Sequence, residues 1–461
     1  MTAASVLSAT ATLIGLLAPL IRPSILMSNI YLVNLPLILF VGLGSLFSSF
    51  QAIRYYNSIA ASAAHFGLAA YIFIVLILSF NKKIANTCTL ATADSIVENL
   101  DTKYLRKISA TFTLIVMLAC LPYWFEVGIA KTGLATLFVD PTAHLLAREE
   151  TVKLATHTPF LRLFQVGSLI SGLAITFLWA LFFLRYSKIG KLRAVFLVLL
   201  ISVITNINGS RSGFFSPTIT SLFSLYIFNL RSCRVTSVIT LNSLKKGIAN
   251  RSIFSFSLKS ALISLVLFFS IVAISIQRIA REFSIELFAD VIHSVFARLL
   301  AIPFTTGAST IEVIDSLNYD KIAYFGGFPG AKLLLGEREP IFMVTGRYIM
   351  SHYRSVADTT MNMNTSGLFL NIAFWGVGIG VALFTGYILF NILFFEKYVM
   401  MYAPSLSSSR KLFSRFYSAW FLSNIAFNIT SSVIAATIYW LLFPLLMYFA
   451  VKSPNLLRRL I

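Results

Sequence analysis

The chain has 461 residues, of which 57% are hydrophobic and 12% are charged, and it carries a formal net charge of +20. Soluble globular proteins have about 25% charged residues, so this composition excludes a soluble enzyme, a disordered chain and a disulfide-stapled secreted module. It also argues against a nucleic-acid-binding protein, because too little polar surface remains to form a basic groove. The remaining class is a polytopic membrane protein whose positive charge reports its orientation.

The chain contains repeated apolar runs. Most are close to the roughly 20 residues that a helix needs to cross a bilayer. We predict spans at 4–21, 30–50, 59–80, 108–126, 164–184, 194–208, 213–229, 260–277 and 367–395. A last apolar run, 418–451, has a polar middle at 428–432, so we predict two short spans joined by a turn. The predicted fold class is all-α: a single integral membrane domain, 1–461, that forms a transmembrane bundle of about eleven spans.

The basic residues test this alternation of spans. The segments predicted inside carry 23 Lys and Arg but only 4 Asp and Glu, whereas the rest of the chain carries 14 and 13. The inside segments are 22–29, 81–107, 185–193, 230–259, 396–416 and 452–461. Cytoplasmic loops of membrane proteins are enriched in Lys and Arg, so this count predicts an outside N-terminus and an inside C-terminus.

Two long polar segments fall on the outside face. They are a loop at 127–163 and a larger loop at 278–366, which holds 9 of the 17 acidic residues. The larger loop is also rich in arginine, contrary to the usual topological preference, and loops of this length generally have a function. We expect it to be partly helical, with an amphipathic helix at 284–300 and another helix at 341–354.

A second polar feature is Ser210-Arg211-Ser212-Gly213, at the outside junction between two spans. An arginine near membrane depth is costly unless it is paired or faces water, so Arg211 is a functional candidate, with snorkelling to the interface as the structural alternative. Gly376, Gly378 and Gly380 have the spacing of a nucleotide fingerprint, but they lie in the apolar run 367–395. That position favours helix packing through small residues.

At these residues the chain resembles the Wzy-type O-antigen or oligosaccharide repeat-unit polymerases of the bacterial inner membrane. The resemblance rests on the Ser210–Gly213 junction and on Arg278-Ile-Ala-Arg281-Glu282 with Ala297-Arg298-Leu299 in the long loop. It also rests on the return into the membrane from Thr365 through Gly378. The resemblance implies a GT-C-like all-helical fold, although the count of spans and the outside N-terminus depart from the usual family pattern.

The resemblance further implies a substrate, which is a glycan repeat unit on undecaprenyl diphosphate, both as donor and as acceptor. These units are joined at the periplasmic face of a multi-pass inner-membrane protein. It implies membrane lipids as surroundings, a chain-length regulator and a flippase of the same pathway as partners, and no nucleic acid. Sequence cannot separate a polymerase from an O-antigen ligase, because only the acceptor differs.

Glycosyl transfer of this kind requires stabilisation of the diphosphate leaving group. Arginine suits that task because its planar guanidinium grips phosphate oxygens bidentately, so we expect neither metal nor cofactor. The diphosphate-binding candidates are Arg211, Arg278 and Arg281, assisted by Arg298, Arg347 or Arg354.

The acceptor hydroxyl requires a general base within hydrogen-bond reach. The candidates are His352, Glu312, Glu337 and His293, and His352 comes first because the flanking Arg347 and Arg354 favour a neutral imidazole. The main alternative function is a lipid-linked oligosaccharide flippase. A flippase would share the cationic site but is expected to have two similar halves and no long ordered outside loop.

Overall fold

The computed structural model consists of helices, and no strand occurs among the residues that it describes. Those residues are 2–22, 25–26, 28–48, 56–81, 102–128, 132, 159–184, 188–207, 217–227, 302–317, 344–346, 348, 367–401, 408–428 and 442–448. The structural statements below concern these residues.

Eleven helices are numbered within the described residues. They are α1 (Ala3–Ile21), α2 (Asn29–Pro36, continued by Leu37–Gly42 and Leu43–Ser48), α3 (Ser58–Phe80), α4 (Thr102–Val127), α5 (Pro159–Leu184), α6 (Lys188–Ile204), α7 (Pro217–Ile227), α8 (Ile302–Ser316), α9 (Gly367–Met401), α10 (Ser408–Asn428) and α11 (442–448).

Six of these helices are long and apolar enough to cross a membrane. The windows are Ala3–Ile21, Asn29–Phe47, Ser58–Phe80, Tyr104–Val127, Phe160–Phe183 and Gly367–Leu393. Each coincides with a predicted span, so the chain is an all-helical protein with several membrane-spanning helices. The predicted span 260–277 and the predicted turn after Asn428 lie outside the described residues, and α6 and α7 are shorter than a full span.

Local sequence explains the shape of α2. Pro36 lies inside the helix and has no N–H to donate to the preceding turn, and a π-helical turn follows directly at Leu37–Gly42. Tyr71 of α3 donates a hydrogen bond to Oδ1 of Asn34, one turn before this irregularity. A polar contact is therefore buried beside the irregular part of a spanning helix.

The described helices form two compact units. The first contains α1, α2, α3, α8 and most of α9, and the second contains α4 to α7 with most of α10. In the first unit, α1 turns a face of small residues inward, including Ser8, Thr12 and Gly15, while Leu13 and Leu17 are exposed. Small residues let helix backbones approach closely, and the exposed leucines suit contact with lipid.

Aromatic side chains form the core of the second unit. The rings of Phe112, Phe177 and Phe413 lie with their centroids 5.8 to 6.2 Å apart. The indole of Trp420 packs over Gly172 of α5, at a distance that leaves no room for a side chain there. Among the described residues of this unit, no Asp, Glu, Lys or Arg side chain is buried.

Contacts between helix ends agree with the predicted alternation of inside and outside ends along the chain. Arg22, just after α1, donates to the carbonyl of Phe80 at the end of α3 (2.9 Å), and both positions are predicted on the inside. Trp124, near the end of α4, donates through Nε1 to the carbonyl of Ile204 at the end of α6 (2.6 Å). Both of those ends are predicted on the outside. In each unit, therefore, ends predicted on one face do meet.

Candidate functional site

The larger predicted loop, 278–366, contains a buried helix. Helix α8 packs against α3 and α2, and all residues from 304 to 314 are buried, whereas 315–317 are exposed. Its buried face carries Thr305, Thr306, Ser309 and Thr310, whose hydroxyl groups can bond to the backbone of their own helix; Thr310, for example, donates to the carbonyl of Thr306. Part of this segment is thus built into the helical unit.

Glu312 is the candidate base that the structure describes. It is 5% exposed, and it is the one Asp, Glu, Lys or Arg side chain buried within the described residues. Its Oε2 accepts a hydrogen bond from the backbone N–H of Asn57 at 2.6 Å. Asn57 is the N-cap of α3, so the carboxylate lies at the positive end of that helix dipole, where negative charge is stabilised.

The other end of α8 is fixed by an aromatic contact. The ring of Phe304 lies 4.5 Å from that of His65 on α3, 5.7 Å from Phe369 on α9 and 6.5 Å from Tyr56. Phe304 and Glu312 are eight residues apart, as are His65 and Asn57, a rise of about 12 Å on each helix. Helices α3 and α8 therefore run antiparallel, with the polar contact at one end and the aromatic contact at the other.

His65 links three helices in this unit. Its Nδ1 lies 2.7 Å from the hydroxyl of Ser8 on α1, and both side chains are buried. An ionisable side chain inside a spanning helix is rare and normally faces the protein interior, as His65 does. The imidazole thus joins α1 and α3 at the level where Phe304 inserts from α8.

Helix α9 breaks at Gly376. The backbone there has φ 77° and ψ 169°, a conformation that is essentially restricted to glycine. A Cβ on Gly380 would lie 2.6 Å from the carbonyl oxygen of Asn371, although nine residues along a straight helix separate atoms by about 13 Å. The two pieces of α9 therefore converge on each other. The predicted span 367–395 is therefore helical, with an interruption at Gly376.

Both pieces of α9 pack on α3 at the same glycine. A Cβ at Gly67 would meet Ile372 from the first piece and Val381 from the second. Phe384 of the second piece also packs on Tyr71 of α3, with ring centroids 5.1 Å apart. The glycine in this contact is Gly67 of α3. A Cβ on Gly376 or Gly378 would meet nothing within 4 Å, so the predicted packing through small residues does not occur at those two glycines.

The other predicted site residues lie outside the described residues. These are His352, Glu337 and His293 among the base candidates, and Arg211, Arg278, Arg281, Arg298, Arg347 and Arg354 among the diphosphate-binding candidates. Within the predicted helix 341–354, residues 344–346 and 348 are helical, and Val344 and Thr345 are buried. In the part of the chain that the structure describes, no group of three His, Cys, Asp or Glu side chains could hold a metal ion.

Sequence reasoning missed α8, because its glycine and its many threonines disfavour a helix. A signal was present: residues 299–311 carry no charge, inside a segment that is otherwise highly charged. Asn57 was also missed, although an Asn before an apolar run is a typical N-cap. The break at Gly376 has no equivalent signal, since three glycines in an apolar run also fit a straight helix.

A scan against protein-family models finds no match to this chain. Searches of curated proteins and of solved structures also find no match.

Proposed function

We propose that this protein is a membrane glycosyltransferase that polymerises oligosaccharide repeat units carried on undecaprenyl diphosphate. Polymerisation takes place at the periplasmic face of the bacterial inner membrane and yields a surface polysaccharide of the O-antigen type. Arg211, Arg278 and Arg281, assisted by Arg298, Arg347 or Arg354, bind the diphosphate and stabilise the charge that develops on the leaving group. No metal takes part in this scheme.

The contact of Glu312 with Asn57 is the observation that supports this proposal most. It fastens a segment with six arginines to the end of α3, which the distribution of basic residues assigns to the outside. An arginine-rich segment that is held at a membrane face is suited to grip a lipid-linked diphosphate, whose charged group lies at the interface. A freely moving loop would hold such a group far less well.

Reconstitution tests the proposal directly. The purified protein, in detergent or vesicles, is given lipid-linked repeat units, and the products are separated on a gel. A ladder of chain lengths is expected, and a single unextended band from protein that remains folded would contradict the proposal. Transfer of glycan to added lipid A, without a ladder, would instead identify a ligase.

Two arginine variants sharpen this test. Arg211→Ala is expected to leave the protein in the membrane and to abolish long chains, and Arg211→Lys is expected to be poor because a point charge does not replace the planar fork. Arg106→Ala removes an exposed arginine from α4 and serves as the matched control, with a normal ladder expected. Normal chain lengths in Arg211→Ala would remove Arg211 from the mechanism.

The broken helix favours one second candidate, a lipid-linked oligosaccharide flippase. Discontinuous helices are common in transporters, where their free ends face the substrate. The break at Gly376 is of this kind. A flippase would move a fluorescent lipid-linked oligosaccharide across a vesicle membrane and would form no ladder.

A further inference from the structure

We propose that Glu312 is a positioning residue that anchors the segment 278–366 to α3, and that it is not the acceptor base. Its carboxylate completes the N-terminal cap of α3 from a distant part of the chain. The effect on glycan synthesis rests on the proposed function, whereas the anchor itself does not.

The cap of α3 is incomplete in its own sequence. In a capping box, the N-cap side chain accepts from the third helical N–H, and a Glu or Gln at that third position accepts from the N-cap N–H. Asn57 Oδ1 accepts from Ala60 N at 2.8 Å, which supplies the first half. The third helical residue is Ala60, whose side chain has no acceptor. The second half is supplied by Glu312, 255 residues away, whose Oε2 lies 2.6 Å from Asn57 N.

Burial distinguishes Glu312 from the other acidic residue of α8. A carboxylate that is 5% exposed must be compensated by hydrogen bonds or opposite charge, and the first turn of a helix offers both. Asp315, three residues further along α8, is exposed to solvent. Helix α8 thus carries two acidic residues. Glu312 is buried at the cap of α3, and Asp315 is exposed to solvent.

The anchor bears on the arginines through chain connectivity. Arg347 and Arg354 follow the Glu312 end of α8 along the chain, so a shift of that end shifts the segment that leads to these arginines. Phe304 fixes the other end of α8 against His65. Loss of the Glu312 contact would release the exposed end of α8 while the aromatic end still holds, so the segment would be displaced without a loss of the fold.

Two substitutions at Glu312 separate an anchor from a base. Glu312→Gln keeps an oxygen that accepts from Asn57 N–H, so it should restore most of the ladder synthesis that Glu312→Ala loses. For Glu312→Ala we expect about a tenfold rise in KM for the lipid-linked donor with a smaller change in kcat. An amide cannot take a proton, so equal loss of about 100-fold or more in kcat in both variants would identify a base and overturn the proposal. Asp315→Asn is the matched control and should behave as wild type.

A second experiment uses no catalytic activity. Asn57 has φ −78°, which proline can adopt, so Asn57→Pro deletes the N–H donor, whereas Asn57→Ala loses the same side chain and keeps the donor. Glu312→Ala should lower the melting temperature of purified protein in the Asn57→Ala background and have little effect in the Asn57→Pro background. Equal effects in both backgrounds would show that the N–H contact does not hold Glu312.

The two experiments distinguish a failure of the proposed function from a failure of the proposed anchor. If wild-type protein forms no ladder but the melting temperatures show the coupling, the anchor stands and the proposed function is wrong. If the ladder forms but Glu312→Gln is as inactive as Glu312→Ala, the function stands and the anchor is not the main role of Glu312.

Discussion

The two compact units use different interactions in their interiors. The second unit is packed mainly by aromatic rings, such as the group around Phe177, which makes no hydrogen bond and carries no charge. The second unit also buries hydrogen bonds from hydroxyls to carbonyls, such as Ser423 to Thr220. The first unit differs because its buried contacts include ionisable side chains: Ser8 with His65, Asn34 with Tyr71, and Glu312 with the backbone of Asn57. Ionisable groups inside a membrane protein are costly to bury, so the described part of the first unit carries a cost that the aromatic core of the second does not.

The largest effect on stability is expected in the aromatic core. Phe177 is 1% exposed, and Phe177→Ala should cost about 3–5 kcal/mol because the neighbouring rings cannot close the cavity. Phe125 of α4 is 72% exposed, and Phe125→Ala should change stability by less than about 0.5 kcal/mol. The melting temperature of each purified variant measures this. A tolerated loss of Phe177 would contradict the view that aromatic packing holds the second unit together.

A smaller effect is expected at the break in α9. Gly376→Ala forces a residue with a Cβ into a glycine conformation, which should cost about 1–3 kcal/mol. Gly378→Ala is the matched control, because a Cβ there meets nothing within 4 Å. The melting temperatures of the two variants measure this difference in stability. Equal values would mean that α9 is straight at Gly376.

The smallest effect is expected at the buried histidine. Ser8→Ala removes the hydroxyl that lies 2.7 Å from His65 Nδ1, and one such hydrogen bond in a membrane protein contributes about 1 kcal/mol. Thr10→Val is the control on α1, because the hydroxyl of Thr10 is exposed and bonds to its own helix. If the buried polar contacts of the first unit serve the proposed synthesis, Ser8→Ala should reduce ladder synthesis by more than its loss of stability accounts for. An unchanged ladder would weaken the comparison.

Helix bounds were predictable where the apolar run is continuous. The predicted spans 4–21 and 59–80 match α1 and α3 within one residue at each end, because only an unbroken helix satisfies the backbone of such a run in lipid. The shape of α9 was not predictable, because periodicity does not record the φ angle of Gly376. A residue pattern can predict the length of a span without predicting whether the helix is straight or broken.

The candidate site was less predictable than the fold. Glu312 was one of four base candidates, and its chemical type indicated a proton acceptor. Its contact with Asn57 joins residues 255 positions apart, and no local pattern reports such a pairing. The indirect signal was at Ala60, where an N-cap Asn has no Glu or Gln three residues later to complete the capping box.

The central claim of the proposed function is that the Glu312 end of α8 lies at the outside face. Single cysteines at Asp315 and Val313, in a chain whose Cys88, Cys120 and Cys233 are replaced by Ser, test it with a membrane-impermeant maleimide. Asp315 is exposed and Val313 is fully buried, so we predict that Asp315→Cys is labelled from the periplasmic side and Val313→Cys is not. Labelling of Asp315→Cys only after the inner membrane is opened would contradict the account.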